Sequence, residues 1–210
     1  GRFAWAFETH RSAYRWIACG VLAGVVVAFT VLVNFASDGS AAPLPYVPLL
    51  NPLDLASLGA LLSVEIWMRR IGGDPPVARW FGGRPWLRYG ILGAAAFLVL
   101  NGSLLHALHH FAGTPLDPEG VMNSTLAQAA LSLFWTLISL ALMVAAHRWK
   151  RRPSWIVGAA LLAVTVAKLF LFDLAHVGSV ERIVSFVGVG LLMLVVGWFA
   201  PVPPKRQAGA

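Results

Sequence analysis

Three histidines near the middle of the chain have a spacing that could support chemistry on one helix face. His106, His109 and His110 fall at positions i, i+3 and i+4, so their rings can project from one arc of a helix end. Imidazole groups there could bind a metal, contact a ligand or headgroup, or cap the helix at a membrane interface. No cysteine and no HExxH-type glutamate accompanies them, although Asp117 and Glu119 follow nearby. We therefore expect an interfacial cap or a binding contact, and no metal or other cofactor.

A second group of charged residues lies in and between two apolar segments near the end of the chain. Lys168 is the only charge in Trp155–Phe172, Asp173 follows that segment, and Arg182 precedes the charge-free segment Ile183–Phe199. A charged side chain near a bilayer centre costs about 3 kcal/mol on insertion scales. Asp173 is unfavourable at the negative end of a helix dipole, so we expect Arg182 to compensate it. Lys168 should reach outward or meet an acid from another helix.

These residues have two interpretations that the sequence leaves open. Asp173 and Arg182 could form an ion-pair clamp at the outer end of the hairpin, as Glu65 and Arg69 should form a local pair at i, i+4. Alternatively, the charges belong to a substrate or ion site. The candidate binding residues are His106, His109, His110, Lys168, Asp173 and Arg182. No catalytic residue is predicted, because no nucleophile–base pair and no phosphate-binding loop is present.

The composition determines the solvent of this chain. Of its 210 residues, 58% are hydrophobic and 12% charged, whereas soluble domains are about 45 to 50% apolar and about 25% charged. A water-soluble globule is therefore excluded, and the bilayer must be the main solvent. The single cysteine, Cys19, excludes an internal disulfide. The net charge of +7 lies in the breaks between apolar runs, which indicates membrane topology and not nucleic-acid binding.

The apolar runs predict an all-α integral membrane bundle of six transmembrane helices in a single module. The expected spans are residues 16–33, 53–68, 86–105, 124–146, 154–173 and 182–200. The first should end at turn-forming residues beginning with Asn34, and the second carries Asp54 in its first turn, where a helix dipole favours an acid. The fourth has a polar stripe that should face other helices or a wet cavity, formed by Gln128, Ser132, Thr136 and Ser139.

The basic residues predict how the chain is oriented across the membrane. Nearly all lysines and arginines lie in alternate loops, so the positive-inside rule predicts cytoplasmic N and C termini. The three histidines and Asp173 would then lie toward the periplasm. The chain begins without Met, and we expect it to be a fragment of a longer protein.

Several strings in the second half resemble a known family. They are LLHALHHFAGTP at Leu104–Pro115, TLAQAALSLFWTLISLALMVAAHR at Thr125–Arg148, and the run at Val166–Pro204 that contains KLFLFDL and RIVSFVGVG. They are similar to the C-terminal part of the large multi-pass bacterial inner-membrane proteins of domain-of-unknown-function family 2339. The resemblance implies an all-helical inner-membrane protein, usually much longer, with no established catalytic residues.

The sequence leaves three possible functions for this chain. The first is a non-enzymatic transport or cell-envelope assembly module with a polar site near the periplasmic face. The second is a membrane-embedded enzyme that uses a histidine as base, with Lys168 or Arg182 holding an anionic lipid-linked substrate. The third is a structural scaffold. An enzyme ranks lowest because no catalytic constellation is visible. The expected partners are the lipid bilayer and further membrane helices of a longer chain or other subunits, and no nucleic acid.

Overall fold

The computed structural model describes residues 17–71 and 85–173, with residues 187, 188, 190, 191, 194, 197 and 198. This part of the chain forms six helices and no strand: α1 (Cys19–Ala36), α2 (Pro52–Ile71), α3 (Pro85–Ala112), α4 (Pro118–Asn123), α5 (Thr125–Arg148) and α6 (Arg152–Lys168). A π-helical turn, Leu169–Asp173, follows α6. The chain divides into two compact units, Gly1–Leu116 and Asp117–Ala210. The all-helical class predicted from the composition is confirmed.

Within the described ranges, four helical segments have the length and apolar composition to cross a membrane. They are Cys19–Ala36, Tyr89–Ala112, Thr125–Arg148 and Arg152–Leu171. Large apolar side chains cover their outer faces, for example Leu32 at 66% and Leu133 at 62% exposure, as expected of surfaces that face lipid. Helix α2 is 20 residues long but carries Asp54, Glu65, Arg69 and Arg70. Most of the sixth expected span, 182–200, lies outside the described residues.

Helices α1 and α3 both extend beyond their expected ends. The side chain of Asn34, which was expected to begin a turn, donates from Nδ2 to the Thr30 carbonyl at 2.9 Å and lies inside the last turns of α1. Helix α3 continues through all three histidines to Ala112. It stops at Gly113, whose φ of 66° is left-handed and whose N–H donates to the His109 carbonyl at 3.0 Å. This is a glycine C-cap.

In the second unit, α5 and α6 form an antiparallel hairpin joined by residues 149–151. The helix backbones approach each other closely at Gly158, where an added Cβ would lie 2.9 Å from the Ser139 carbonyl oxygen and 2.8 Å from Met143 Cγ. Met143 and Leu162 form a small buried core beside this contact. Glycine at position 158 therefore permits the tight packing of the hairpin.

Candidate functional site

The described helices of the first unit, α1, α2 and α3, are joined by a closed ring of hydrogen bonds. Asn34 Nδ2 on α1 donates to Ser57 Oγ on α2 at 2.8 Å. Ser103 Oγ on α3 donates to Asp54 Oδ2 on α2, also at 2.8 Å. His106 Nε2 on α3 donates to the Ser37 carbonyl after α1 at 2.9 Å, since a carbonyl oxygen can only accept. We call these six residues the polar ring: Asn34, Ser37, Asp54, Ser57, Ser103 and His106.

The ring closes because each helix contributes two residues one turn apart, counting Ser37 as the C-cap residue of α1. The pairs are Asn34 with Ser37, Asp54 with Ser57, and Ser103 with His106, each separated by three positions. Residues three apart are neighbours on a helix surface, so each pair places one side chain or carbonyl toward each neighbouring helix. All members except Ser37 are buried. The polar ring is therefore an internal structure of the first unit.

Asp54 is the charged member of the polar ring. Its Oδ2 accepts from the Leu49 N–H at 2.9 Å, from Asn51 Nδ2 at 2.7 Å and from Ser103 Oγ at 2.8 Å. Asn51 Oδ1 accepts in turn from the Asp54 N–H at 2.9 Å. This reciprocal pair satisfies donors at the start of α2, where the helix dipole also favours a carboxylate. The sequence predicted the dipole interaction and did not predict the contact with α3.

Tyr46 connects the loop between α1 and α2 to α3 through two contacts. Its hydroxyl donates to the Ser103 carbonyl at 3.2 Å, and its ring stacks on that of His110 with centroids 4.2 Å apart. Burial raises the pKa of the Tyr46 phenol above 10.0, and the negative charge of Asp54 raises this pKa further. The phenol is therefore held in its neutral, hydrogen-bonding form.

The three histidines bind three separate carbonyl oxygens and do not converge on one point. In addition to the His106 contact, His109 Nδ1 donates to the Thr114 carbonyl at 2.8 Å, beyond the end of α3. His110 Nε2 donates to the Asp38 carbonyl at 2.9 Å. Among the described residues, no three His, Cys, Asp or Glu side chains gather as they would around a metal. His106 and His110 thus hold the loop that follows α1.

Three atoms of the polar ring are buried acceptors without a hydrogen-bond partner among the described residues: Asn34 Oδ1, Asp54 Oδ1 and His106 Nδ1. Each comes from a different helix. Because His106 Nε2 carries the ring proton, Nδ1 presents a lone pair. An unsatisfied buried polar atom costs about 1 to 3 kcal/mol. Three such atoms on residues of the polar ring therefore indicate a binding role or bound water.

Glycines lie beside two of these acceptors. A Cβ on Gly102 would lie 3.1 Å from the Asn34 carbonyl oxygen and 3.3 Å from Asn34 Oδ1. Gly39 has a left-handed φ of 72°, and a Cβ there would lie 2.9 Å from His106 Nδ1. Side chains at positions 39 and 102 would therefore press against His106 and Asn34, so glycine at each position permits a close approach of the backbone.

Lys168 lies in the second unit and hydrogen-bonds to residues of the polar stripe of α5. Its Nζ donates to Ser132 Oγ at 2.9 Å and to the Gln128 carbonyl at 3.3 Å. These groups are uncharged, whereas the sequence suggested an acid or an outward orientation. Ser132 and Ser139 are both buried. The stripe therefore faces α6, and the ammonium group is held between the two helices.

The predicted ion pairs fall in different parts of the chain. Arg69 Nε donates to Glu65 Oε1 at 2.6 Å, with the arginine side chain 68% exposed. The side chain of Asp173 and all of Arg182 lie outside the described residues, so their clamp remains a prediction.

The sequence reasoning missed most of the polar ring. It singled out His106, treated Asn34 as a turn former and Asp54 as a dipole-compensating acid, and gave no role to Ser57 or Ser103. The signal was present as polar pairs three residues apart within apolar helices.

Comparison with known proteins gives one match. The model of a family described as "Predicted membrane protein (DUF2339)" matches residues 2–203. The match extends well before Leu104, the point from which the sequence strings were most similar. No curated protein matches the chain, and no solved structure matches it.

Proposed function

We propose, since the chain belongs to the DUF2339 family of predicted membrane proteins, that it is a non-enzymatic module of a multi-pass protein of the bacterial inner membrane. In this proposal the module serves transport, and the polar ring is its binding site near the periplasmic face. In a cell-envelope assembly role, the same site would hold an envelope component in place of a transported solute.

The proposed topology has six membrane crossings with both termini in the cytoplasm. Helix α1 ends, α2 begins and α3 ends near the polar ring. The opposite end of α2 carries Arg69 and Arg70. The positive-inside rule therefore assigns the arginine end to the cytoplasm and the polar ring to the periplasmic side. The bonds of Asp54 and the Glu65–Arg69 pair would lower the cost of placing α2 in the bilayer.

The observation that carries the proposal is the set of three unpartnered acceptors in a buried cluster. A scaffold requires hydrogen bonds between helices, but it gains nothing from acceptors that no helix satisfies. An enzyme requires a base that can reach a substrate proton. His106 keeps a free Nδ1, but among the described residues its ring is hydrogen-bonded to no carboxylate and no nucleophile that would complete a catalytic constellation. A binding site explains the unpartnered acceptors without such a constellation.

Thiol labelling of a ring position tests this proposal. In a Cys19→Ser background, Ser57→Cys should react from the periplasmic side with a small membrane-impermeant methanethiosulfonate, because a transport site must open to water. Ser139→Cys is the matched control, since Ser139 is likewise a buried helical serine but lies in the α5–α6 contact. It should stay unreactive.

Ser40→Cys, at an exposed loop position, should react rapidly from the periplasmic side and reports the orientation. Labelling of Ser40→Cys without any labelling of Ser57→Cys from either side would support the scaffold and reject the transport role. Labelling of Ser40→Cys from the cytoplasmic side alone would reject the topology.

A further inference from the structure

We propose that the polar ring binds one monovalent metal cation, sodium or potassium, between Asp54 Oδ1 and Asn34 Oδ1. This inference rests on the proposed function only in taking the polar ring as a binding site. It adds the chemical class of the ligand and the two oxygens that hold it.

The charge of the polar ring favours a cation. Asp54 is 5% exposed, and its hydrogen-bond partners are a backbone N–H, the amide of Asn51 and the hydroxyl of Ser103. All three are uncharged. His106 is 1% exposed, and burial disfavours its charged form, so its ring proton is the one on Nε2. Asp54 is therefore the only formally charged residue among the six of the ring, and a cation beside its buried carboxylate would be favourable.

The unpartnered atoms of the polar ring also favour a cation over an anion. All three are acceptors. The donors whose bonds close the ring, Asn34 Nδ2, Ser103 Oγ and His106 Nε2, are already engaged within the protein. An anion would find no free donor among them. Carboxylate and amide oxygens are the ligands of hard cations, and a single negative charge matches a monovalent ion.

The side chains of Asn34 and Asp54 meet neighbouring positions of α2. Asn34 is bonded to Ser57 at 2.8 Å, and Asp54 lies three residues before Ser57, so it is its neighbour on the helix surface. Asn34 also belongs to the last turns of α1, where the negative end of the helix dipole attracts a positive charge. A Cβ at Gly102 would lie 3.1 Å from the Asn34 carbonyl oxygen, so glycine at this position lets α3 approach Asn34 closely.

The binding can be measured on the purified full chain in detergent. The protein is exchanged into N-methylglucamine chloride, which is then replaced by NaCl or KCl at constant ionic strength. One of the two salts should raise the melting temperature saturably, by about 5 to 10 °C at a concentration near 100 times the dissociation constant. Equilibrium binding of radioactive sodium, or of rubidium as a potassium analogue, should give one ion per chain.

Two variants locate the ion. Asp54→Asn keeps the shape of the side chain but removes its charge, and should abolish both the salt-dependent rise and the ion binding. Asp38→Asn removes a charge from an exposed residue of the adjacent loop and should leave both unchanged. If Asp54→Asn does not fold, Gly102→Ala provides a second test, because its methyl group should weaken ion binding at least tenfold.

Several results would overturn the inference. The inference fails if neither salt changes the melting temperature or binds to the wild-type chain, and it fails if the rise persists in Asp54→Asn. A rise on acidification alone would show that a proton, and not a metal ion, neutralises Asp54. If Ser57→Cys is labelled and no ion binds, the transport proposal survives and the cation assignment fails. If an ion binds and Ser57→Cys is unreactive, the ion is structural and the transport proposal fails.

Discussion

Ser103 Oγ donates to Asp54 Oδ2 at 2.8 Å across the interface between α3 and α2, joining residues 49 positions apart in the chain. This bond closes the polar ring at its charged member. It also links the start of α2 to the turn of α3 that contains His106. The buried carboxylate of Asp54 is therefore part of the packing of the first unit, and it is also the group that is proposed to bind a cation.

Removing the Ser103 hydroxyl should be costly. Ser103→Ala should lower the free energy of unfolding by about 1.5 to 3 kcal/mol, because hydrogen bonds to charged groups contribute that much. Ser63→Ala is the matched control, since Ser63 is exposed and bonds only to Gly59 of its own helix among its described contacts. Denaturant unfolding in detergent measures both. Equal losses for the two variants would show that the Asp54–Ser103 bond contributes nothing particular to stability.

The close contact at Gly158 predicts a steric effect in the second unit. Gly158→Ala should destabilise the chain by about 1 to 3 kcal/mol, because the added methyl meets the Ser139 backbone at 2.9 Å. At Gly93 an added Cβ would meet nothing within 4 Å. Gly93→Ala should therefore be neutral, or stabilising by up to about 1 kcal/mol, since alanine is the better helix former. Unfolding curves that rank these two variants in the opposite order would contradict the packing of α5 against α6.

Lys168 and Ser132 should be energetically coupled. A double-mutant cycle with Lys168→Met and Ser132→Ala should give an interaction of about 1 kcal/mol, because the 2.9 Å bond joins an ammonium group to a hydroxyl at a helix interface. The same cycle with Lys168→Met and the exposed Ser63→Ala should give none. Additive effects of Lys168 and Ser132 would mean that the ammonium group is stabilised elsewhere.

The raised pKa of Tyr46 gives a pH dependence of defined sign. A phenol whose pKa is higher in the folded chain than its ordinary 10.0 contributes stability that is fully present below that value and is lost as the pH rises through the folded pKa. Tyr46→Phe should therefore lose less stability than the parent as the pH rises above about 10. Ultraviolet absorbance at these pH values monitors phenolate formation. If the two proteins respond identically to pH, the Tyr46 phenol is not protected by the fold.

The sequence predicted the membrane class well because composition is a property of the whole chain and needs no knowledge of contacts. Two of the residues that the sequence singled out, His106 and Lys168, take part in contacts between elements of the fold, and their role in binding stays a prediction. The sequence did not predict the contact between Lys168 and Ser132, although each residue had been singled out separately. Helical periodicity shows which residues share a face of one helix, and it does not show which helix packs there.

The same limit explains why the polar ring was missed. Asn34, a common turn former, is held inside α1 by its bonds to Thr30 and Ser57, and the second of these depends on tertiary packing. The i, i+3, i+4 spacing placed the histidines on one arc, but the loop after α1 brings separate carbonyls to His106 and His110. Side-chain direction from a helix is local, whereas the position of that loop is not.

The central claim is that the polar ring presents acceptors to a ligand, and a density map of the intact protein in lipid nanodiscs containing both NaCl and KCl tests it most directly. At a resolution that shows ordered water, we predict a single non-protein peak within ligand distance of both Asp54 Oδ1 and Asn34 Oδ1. The peak should be absent from a map of Asp54→Asn. Protein donors hydrogen-bonded to both oxygens would contradict the account, because the polar ring would then be satisfied by the chain itself.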